Sequence, residues 1–364
     1  MALLTVLQLL DCILAYHINH RPRLEIRDAT VPLPCAELLW EAKTAMQWQQ
    51  ALPYSAPSPS LASALESIYI EKKLQPTMGE FSRIIMIHGL YQRLYEVRKH
   101  LTQPLTYWTP TAARAKPEEV IPKDLWLPGI PMYCNWRNST CDSLDILHWS
   151  ASSVIGAASG MEHPTVAHLH LSRVILLIPI EDIQRFACGI SGVRVAPREQ
   201  ISALRKVVRR WALEDYHKAR LAIVHAGCIF WHIRRYSASA FYEPHAVLLA
   251  GLSLWAYGMF TDREHSEPEA TEPSFAEDET SLPASINLDR PCDDELIQTF
   301  IRRGGKMLAM MSGVGDVCSL EGPKRILEEA IKLLRTLTNW GCSGNAIRIL
   351  KSLSQVSRQT VLAE

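Results

Sequence analysis

Residues 246–260 (AVLLAGLSLWAYGMF) form an uncharged run that is apolar apart from Ser253. The run falls short of the ~20 residues needed to cross a bilayer. A segment apolar on every side must be buried on every side, so it reads as a fully buried helix that needs other elements around it. The rest of the chain supplies them. Residues 32–48 carry Leu38, Leu39, Ala42, Met46 and Trp48 at helical steps, and 61–74 and 80–101 continue the pattern. In the last of these, Phe81, Ile84, Ile85, His88, Tyr91, Leu94 and Tyr95 trace one stripe of the 3.6 period. Further helices are expected over 133–155, 163–178, 293–311, 323–338 and 345–358, and one helix or a pair of helices runs from Pro197 to His232. Pro197, Pro323 and the pair Asp293-Asp294 sit where helix starts favour them. The run 174–180 reads as the end of a helix at Pro179. An all-α domain with negligible strand follows, with Trp40, Trp48, Trp211, Trp231 and Trp255 in its core.

Composition narrows the function classes. Apolar residues make up 48% of the 364, which excludes a disordered chain. Lys plus Arg equals Asp plus Glu at 38 each, so the whole surface is not built to embrace phosphate. The nine cysteines include no C-x-x-C pair, which argues against a disulfide framework or a zinc ribbon and for buried reduced thiols. Residues 2–10 are nearly all apolar, but Asp11 follows and no basic residue precedes them, so the signal-peptide layout is missing. The sequon Asn138-Ser139-Thr140 reads as a chance tripeptide. Residues 102–131 are a proline-punctuated connection. Residues 261–290 form an acidic linker, with eight acidic residues against Arg263 between 262 and 279; a mobile surface loop is expected there.

The residue types that carry chemistry do not form a reactive pattern. Cys134 and Cys141 lack a histidine pair at finger spacing. His225, Cys228 and His232 share a helical face, but among Ile223, Val224, Ile229, Phe230 and Trp231 they read as packing. Asp293-Asp294-Glu295 is followed by Leu296 and Ile297 and lacks the distal acid of a D-D-x-x-D magnesium cluster, so it reads as an acidic helix start. Gly313-Val314-Gly315 has two of the glycines of a dinucleotide fingerprint and no strand leading into it. Nucleophile-elbow, P-loop and H-E-x-x-H patterns do not occur. Arg194, Arg198, Arg205, Lys206, Arg209 and Arg210 form the densest basic cluster, balanced by Glu199, Glu214 and Asp215, and read as a solvated helix face. No residue is therefore assigned a catalytic, cofactor-binding, metal-binding or DNA-binding role.

Several strings together resemble one family. Leu33-Pro34-Cys35 followed by Leu39-Trp40-Glu41-Ala42 and Trp48 is similar to the "LPC…LWEA…W" signature of fungal zinc-finger transcription factors. That signature belongs to their regulatory (middle homology) domain, of the xylanolytic-activator type. Gly79-Glu80-Phe81-Ser82-Arg83 leading to Ile87-His88-Gly89-Leu90 resembles the family's "G-x-F-S-R…HGL" helix. Pro244 to Gly258 resembles its "P…LYLAALVCWAYG" helix. The 287–295 string Asn-Leu-Asp-Arg-Pro-Cys-Asp-Asp-Glu, then Ser312-Gly313-Val314-Gly315-Asp316, Gly322-Pro323 with Arg325-Ile326-Leu327, and Trp340-Gly341-Cys342 follow in the family's order. The set spans about residues 20–353. The eight-residue step from Trp40 to Trp48 suits one buried stripe, and Gly89 and Gly304-Gly305 suit helix interiors approached closely by another helix.

The resemblance implies a single all-α regulatory domain over 1–364, acting in the nucleus on transcription by RNA polymerase II through protein contacts. Its partners would be the transcription machinery or co-regulator proteins, with a homodimer as a further option and no membrane. DNA and zinc belong to the family's upstream fingers, which this chain lacks. Met1 to His20 resembles the interior of the domain, so the chain is expected to be a truncated gene model, a fragment or a finger-less paralogue, and no cofactor is expected in this chain. Two other readings stay open: an all-α enzyme with an unrecognised apolar pocket, and a helical scaffold outside the nucleus.

Overall fold

The computed structural model describes residues 2–17, 22–26, 30–55, 57–75, 78–102, 126–157, 164–261, 284–291 and 293–356. Among these residues the fold is predominantly helical, with one small three-stranded sheet. The chain divides into two compact units, Met1–Ser172 and Arg173–Glu364. Of the expected acidic loop over 261–290, residues 262–283 lie outside the described residues, but Ser285–Asn287 form a strand rather than loop because they pair with Leu308–Met310. Most of the proline-punctuated connection also lies outside the described residues.

The first unit is built from α1 (Ala2–His17), α2 (Glu37–Trp40), α3 (Ala45–Ala51), α4 (Leu61–Glu66), α5 (Glu80–Thr102), α6 (Pro131–Ala157) and the start of α7 (Pro164–Leu177). Its core is α5, buried without interruption from Ile85 to Gln92, against which α1, α4 and α6 pack. Close approach needs Gly89, because a Cβ there would lie 2.8 Å from Leu65 Cδ1 of α4. A π-helical turn over Ser67–Glu71 ends α4 at Lys72, which is left-handed at φ 57°. The Lys72 ammonium donates to Ser139 O and Oγ, both at 2.9 Å, and to Ser143 Oγ at 3.1 Å. The sequon therefore sits within α6, where Thr140 is buried and its hydroxyl donates to Trp136 O.

The second unit follows with α8 (Ile180–Ile190), α9 (Arg198–Leu213), α10 (Tyr216–Tyr236), α11 (Glu243–Phe260), β1 (Ser285–Asn287), α12 (Asp294–Arg303), β2 (Leu308–Met311), β3 (Gly315–Asp316), α13 (Gly322–Thr336) and α14 (Cys342–Ser354). As the uncharged run requires, α11 is the centre: every residue except Leu248 is buried, and α8, α9, α10, α13 and α14 pack around it. Pro179 and Pro197 stand at the N-caps of α8 and α9. The stretch beginning at Pro197 is a pair of helices, broken at Glu214 and Asp215. Asp293 caps α12, its carboxylate accepting from Glu295 N at 2.9 Å and Leu296 N at 3.1 Å. The strand order is β1-β2-β3, parallel between β1 and β2 with Ile286 opposite Ala309, and antiparallel between β2 and β3 with Met311 opposite Gly315.

Three further expectations are corrected. The periodic stretch over 32–48 is not one helix. Residues 33–36 are not helical, α2 stops at Trp40, and Thr44 starts α3 afresh by accepting from Gln47 N at 3.2 Å. In consequence Trp40 and Trp48 are exposed and share no buried stripe, whereas Trp211 and Trp255 are buried as expected. The stretch 293–311 is likewise not one helix. Gly304-Gly305 lie in a 3₁₀ turn over Gly304–Lys306 rather than inside a helix, and the chain then enters β2. Glycine favours that exit because it gives up more conformational freedom in a helix than any other residue.

Candidate protein-interaction surface

Residues 33–55 lead away from the bridge at Pro32, and residues 57–59 return beside that starting point. Leu33 N donates to Pro59 O at 2.8 Å, and Pro32 and Ser60 form an antiparallel bridge. The Pro34 carbonyl accepts from Ser58 Oγ and from Ser82 Oγ on α5, each at 3.1 Å. Glu37 completes the anchorage by accepting from Glu80 N at 3.0 Å with its carboxylate packed against Gly79, and Thr165 Oγ1 donates to Glu80 Oε1 at 2.9 Å. The Leu33-Pro34-Cys35 string and the Gly79-to-Arg83 string, far apart in sequence, are thus the two sides of one anchor.

The tip of this excursion faces water. Leu39 and Ala51 turn inward, but Leu38, Trp40, Met46, Trp48, Leu52 and Tyr54 remain exposed, from 42% at Trp48 to 81% at Tyr54. Residues 45–50 of α3 are exposed around the whole circumference of the helix. The tip is nonetheless ordered by its own caps: Thr44 caps α3, and the Gln47 amide oxygen accepts from Lys43 N at 2.9 Å. This arrangement is close to a capping box. Residues 44–65 contain no charged side chain. Single exposed apolar residues are ordinary on a soluble protein, but six large ones within seventeen positions are an unusual concentration, rich in the residue types enriched at interfaces. The sequence signal that could have located it is the Thr44…Gln47 cap inside the periodic stretch.

The other polar constellations are internal. On α5, His88 Nε2 lies 3.0 Å from His168 Nδ1, and Tyr91 OH bonds to His88 Nδ1. Burial, with His168 alongside, holds the His88 imidazole well below its ordinary pKa, and burial drives that of Tyr91 upward. Gln92 Oε1 accepts from Gln8 Nε2 at 3.0 Å and from Cys12 Sγ at 2.9 Å, while Gln92 Nε2 donates to Leu24 O at 2.7 Å. Burial pushes the Cys12 thiol far above its ordinary value, so it is a packed, protonated group. These groups are buried and bond to one another.

In the second unit, Arg234 ties together strings of the family resemblance. Its guanidinium reaches Asp289 at 3.1 Å, Glu329 at 2.9 Å and Ser312 O at 3.1 Å, and Asp289 also accepts from Ser312 N. His225, Cys228 and His232 lie along α10 as the spacing predicts: His232 is buried, with its pKa lowered to about 4 by desolvation, and Cys228 Sγ is directed at Leu288 O. Among the described residues no group of three or more His, Cys, Asp or Glu side chains could hold a metal ion. Of the basic cluster, Arg194, Arg198, Lys206, Arg209 and Arg210 are exposed, with Arg210 paired to Glu214 at 2.6 Å, while Leu204, Val208 and Trp211 on the same helix are buried. No helix among the described residues is long and apolar enough to cross a membrane.

Comparison with known proteins adds one informative similarity. A protein described as a transcription factor from the fungus Gibberella fujikuroi aligns with 313 residues at 22% identity, covering 85% of this chain and 34% of its own length. The chain thus spans about a third of the relative it matches. No family model matches the chain, and no solved structure does.

Proposed function

We propose that the chain is a regulatory domain of a fungal transcription regulator, of the middle-homology kind, and that it works through protein contacts rather than catalysis. The observation that carries this reading is the similarity to the Gibberella fujikuroi transcription factor along 85% of the chain. The anchored excursion supports it: sequence strings of the resemblance form its base, and an apolar tip stands clear of the core. In this reading the nucleus is the site of action and RNA polymerase II transcription the process controlled. The contacts made by residues 38–54 convey regulation, while zinc and DNA belong to a separate segment of the regulator. The closer placement with xylanolytic activators rests on the order of the strings from Leu33 to Cys342.

The test is a tethering experiment. The chain is fused to an unrelated DNA-binding module in a fungal host and directed to a reporter promoter. Reporter output should change relative to the module alone, and the fluorescently tagged chain should accumulate in the nucleus. Output equal to that of the module alone would refute the proposal.

A further inference from the structure

We infer that Arg220 and the turn that follows α12 form a binding site for a phosphate group, free or carried as a monoester by a small molecule. The site lies wholly within the second unit and does not depend on the reading of the tip.

Arg220, on α10, is only 7% exposed, yet its guanidinium meets no carboxylate among the described residues. Nη1 donates to Ile301 O at 3.3 Å, a long bond, and the guanidinium carbon lies 4.8 Å from the centre of the Tyr216 ring. Nε is buried without an acceptor, and Nη2 has none among the described residues. A cation taken out of water without an anion is costly, so a buried arginine is normally paired. The free edge, Nε with Nη2, is the fork that takes two oxygens of one phosphate.

The surroundings supply further positive charge and no anion. The guanidinium runs beside the Gly304–Lys306 turn: a Cβ would lie 3.3 Å from Arg220 Cδ at Gly304 and 3.4 Å from Nη2 at Gly305. Gly305 is exposed and has no side chain to cover Nη2. Arg302, Arg303 and Lys306 are exposed and make no ion pair among the described residues. Neither 216–242 nor 296–315 contains an acidic residue. The last carbonyls of α12 offer about half a negative charge, which these three cations and Arg220 must share. A phosphate ester carries about −1.5 to −2 at neutral pH and has three oxygens to divide between fork and ammonium, so it matches this excess better than one carboxylate.

The experiment is equilibrium dialysis of the full chain against labelled inorganic phosphate at constant ionic strength. Saturable binding of a single phosphate per chain is expected. Arg220→Gln should weaken it about 10-fold or more, the loss of a charge-assisted bond. Gly305→Asp is the second variant, at an exposed position without a left-handed backbone. Its carboxylate takes the place of the ligand, so phosphate binding should vanish while the melting temperature in phosphate-free buffer rises. Displacement of the label by glucose 6-phosphate supports the site as one for monoesters, and displacement by inorganic phosphate alone supports it as one for the free anion. Absence of saturable binding overturns the inference, as does binding that survives Gly305→Asp. An equal loss in Arg194→Ala, outside the site, would show diffuse attraction to the whole basic surface and would also overturn it.

Discussion

His88 and His168 meet ring nitrogen to ring nitrogen at 3.0 Å in the core of the first unit, both almost wholly removed from water. Such a pair is comfortable only when uncharged. Folding lowers the pKa of His88 below the value near 6.5 that it holds in an unfolded chain, so below that pH the unfolded state binds more protons. Stability from this group is complete above about pH 6.5 and is lost as pH falls. His232 in the second unit acts in the same direction, with its loss continuing to about pH 4. Melting temperatures measured from pH 7.5 to 4.5 should therefore fall with acidity, and His232→Gln should flatten the acid limb of the curve.

Trp211 and Trp40 provide a direct contrast between a packed and an exposed indole. Trp211 is buried and donates its ring N–H to Leu177 O at 2.9 Å, so Trp211→Ala should cost about 3–5 kcal/mol. Trp40→Ser, at an exposed position, should change stability by no more than about 0.5 kcal/mol. Urea unfolding of the two variants checks both values, and equal losses would mean that Trp40 packs inward.

A methyl group at Gly258 would lie 2.5 Å from the Val317 carbonyl oxygen, a backbone atom that cannot swing aside. Gly258→Ala should therefore destabilise by about 1–3 kcal/mol even though alanine is the better helix former. At an exposed helical glycine the same change would stabilise, so the sign of the shift in thermal melting is the readout.

Arg234→Met should cost about 3 kcal/mol, because it leaves Asp289 buried and unpaired beside Glu329. Arg234→Lys should recover only part of this loss, since an ammonium cannot serve two carboxylates and the Ser312 carbonyl with the same fork. Hydrogen exchange around β2 should accelerate in both variants, more so in the methionine one.

The central helix was legible because its uncharged run admits no other environment, and α13 because its apolar positions repeat every three to four residues. The helix starts at Pro197 and Asp293 were legible as local chemistry. The excursion was not. Whether Trp40 faces the core depends on Pro34 and Glu37 being tied to Ser82 and Glu80, more than forty residues away, and no periodicity encodes that tie. A helix interrupted between Trp40 and Thr44 keeps the same apolar spacing as a continuous one while turning its side chains elsewhere. The short β2 strand was missed for a similar reason. Its four residues form a strand by pairing with Ser285–Asn287, a partner on the far side of α12 in sequence.

Protein contact through the tip is the centre of the account, and the output of the tethered reporter with Trp40→Ser/Trp48→Ser, compared with wild type at equal protein level, tests it most directly. Because both side chains are exposed, the variant should stay folded, and its output should fall to that of the DNA-binding module alone. Output undiminished from wild type would contradict the assignment of residues 38–54 as the contact surface.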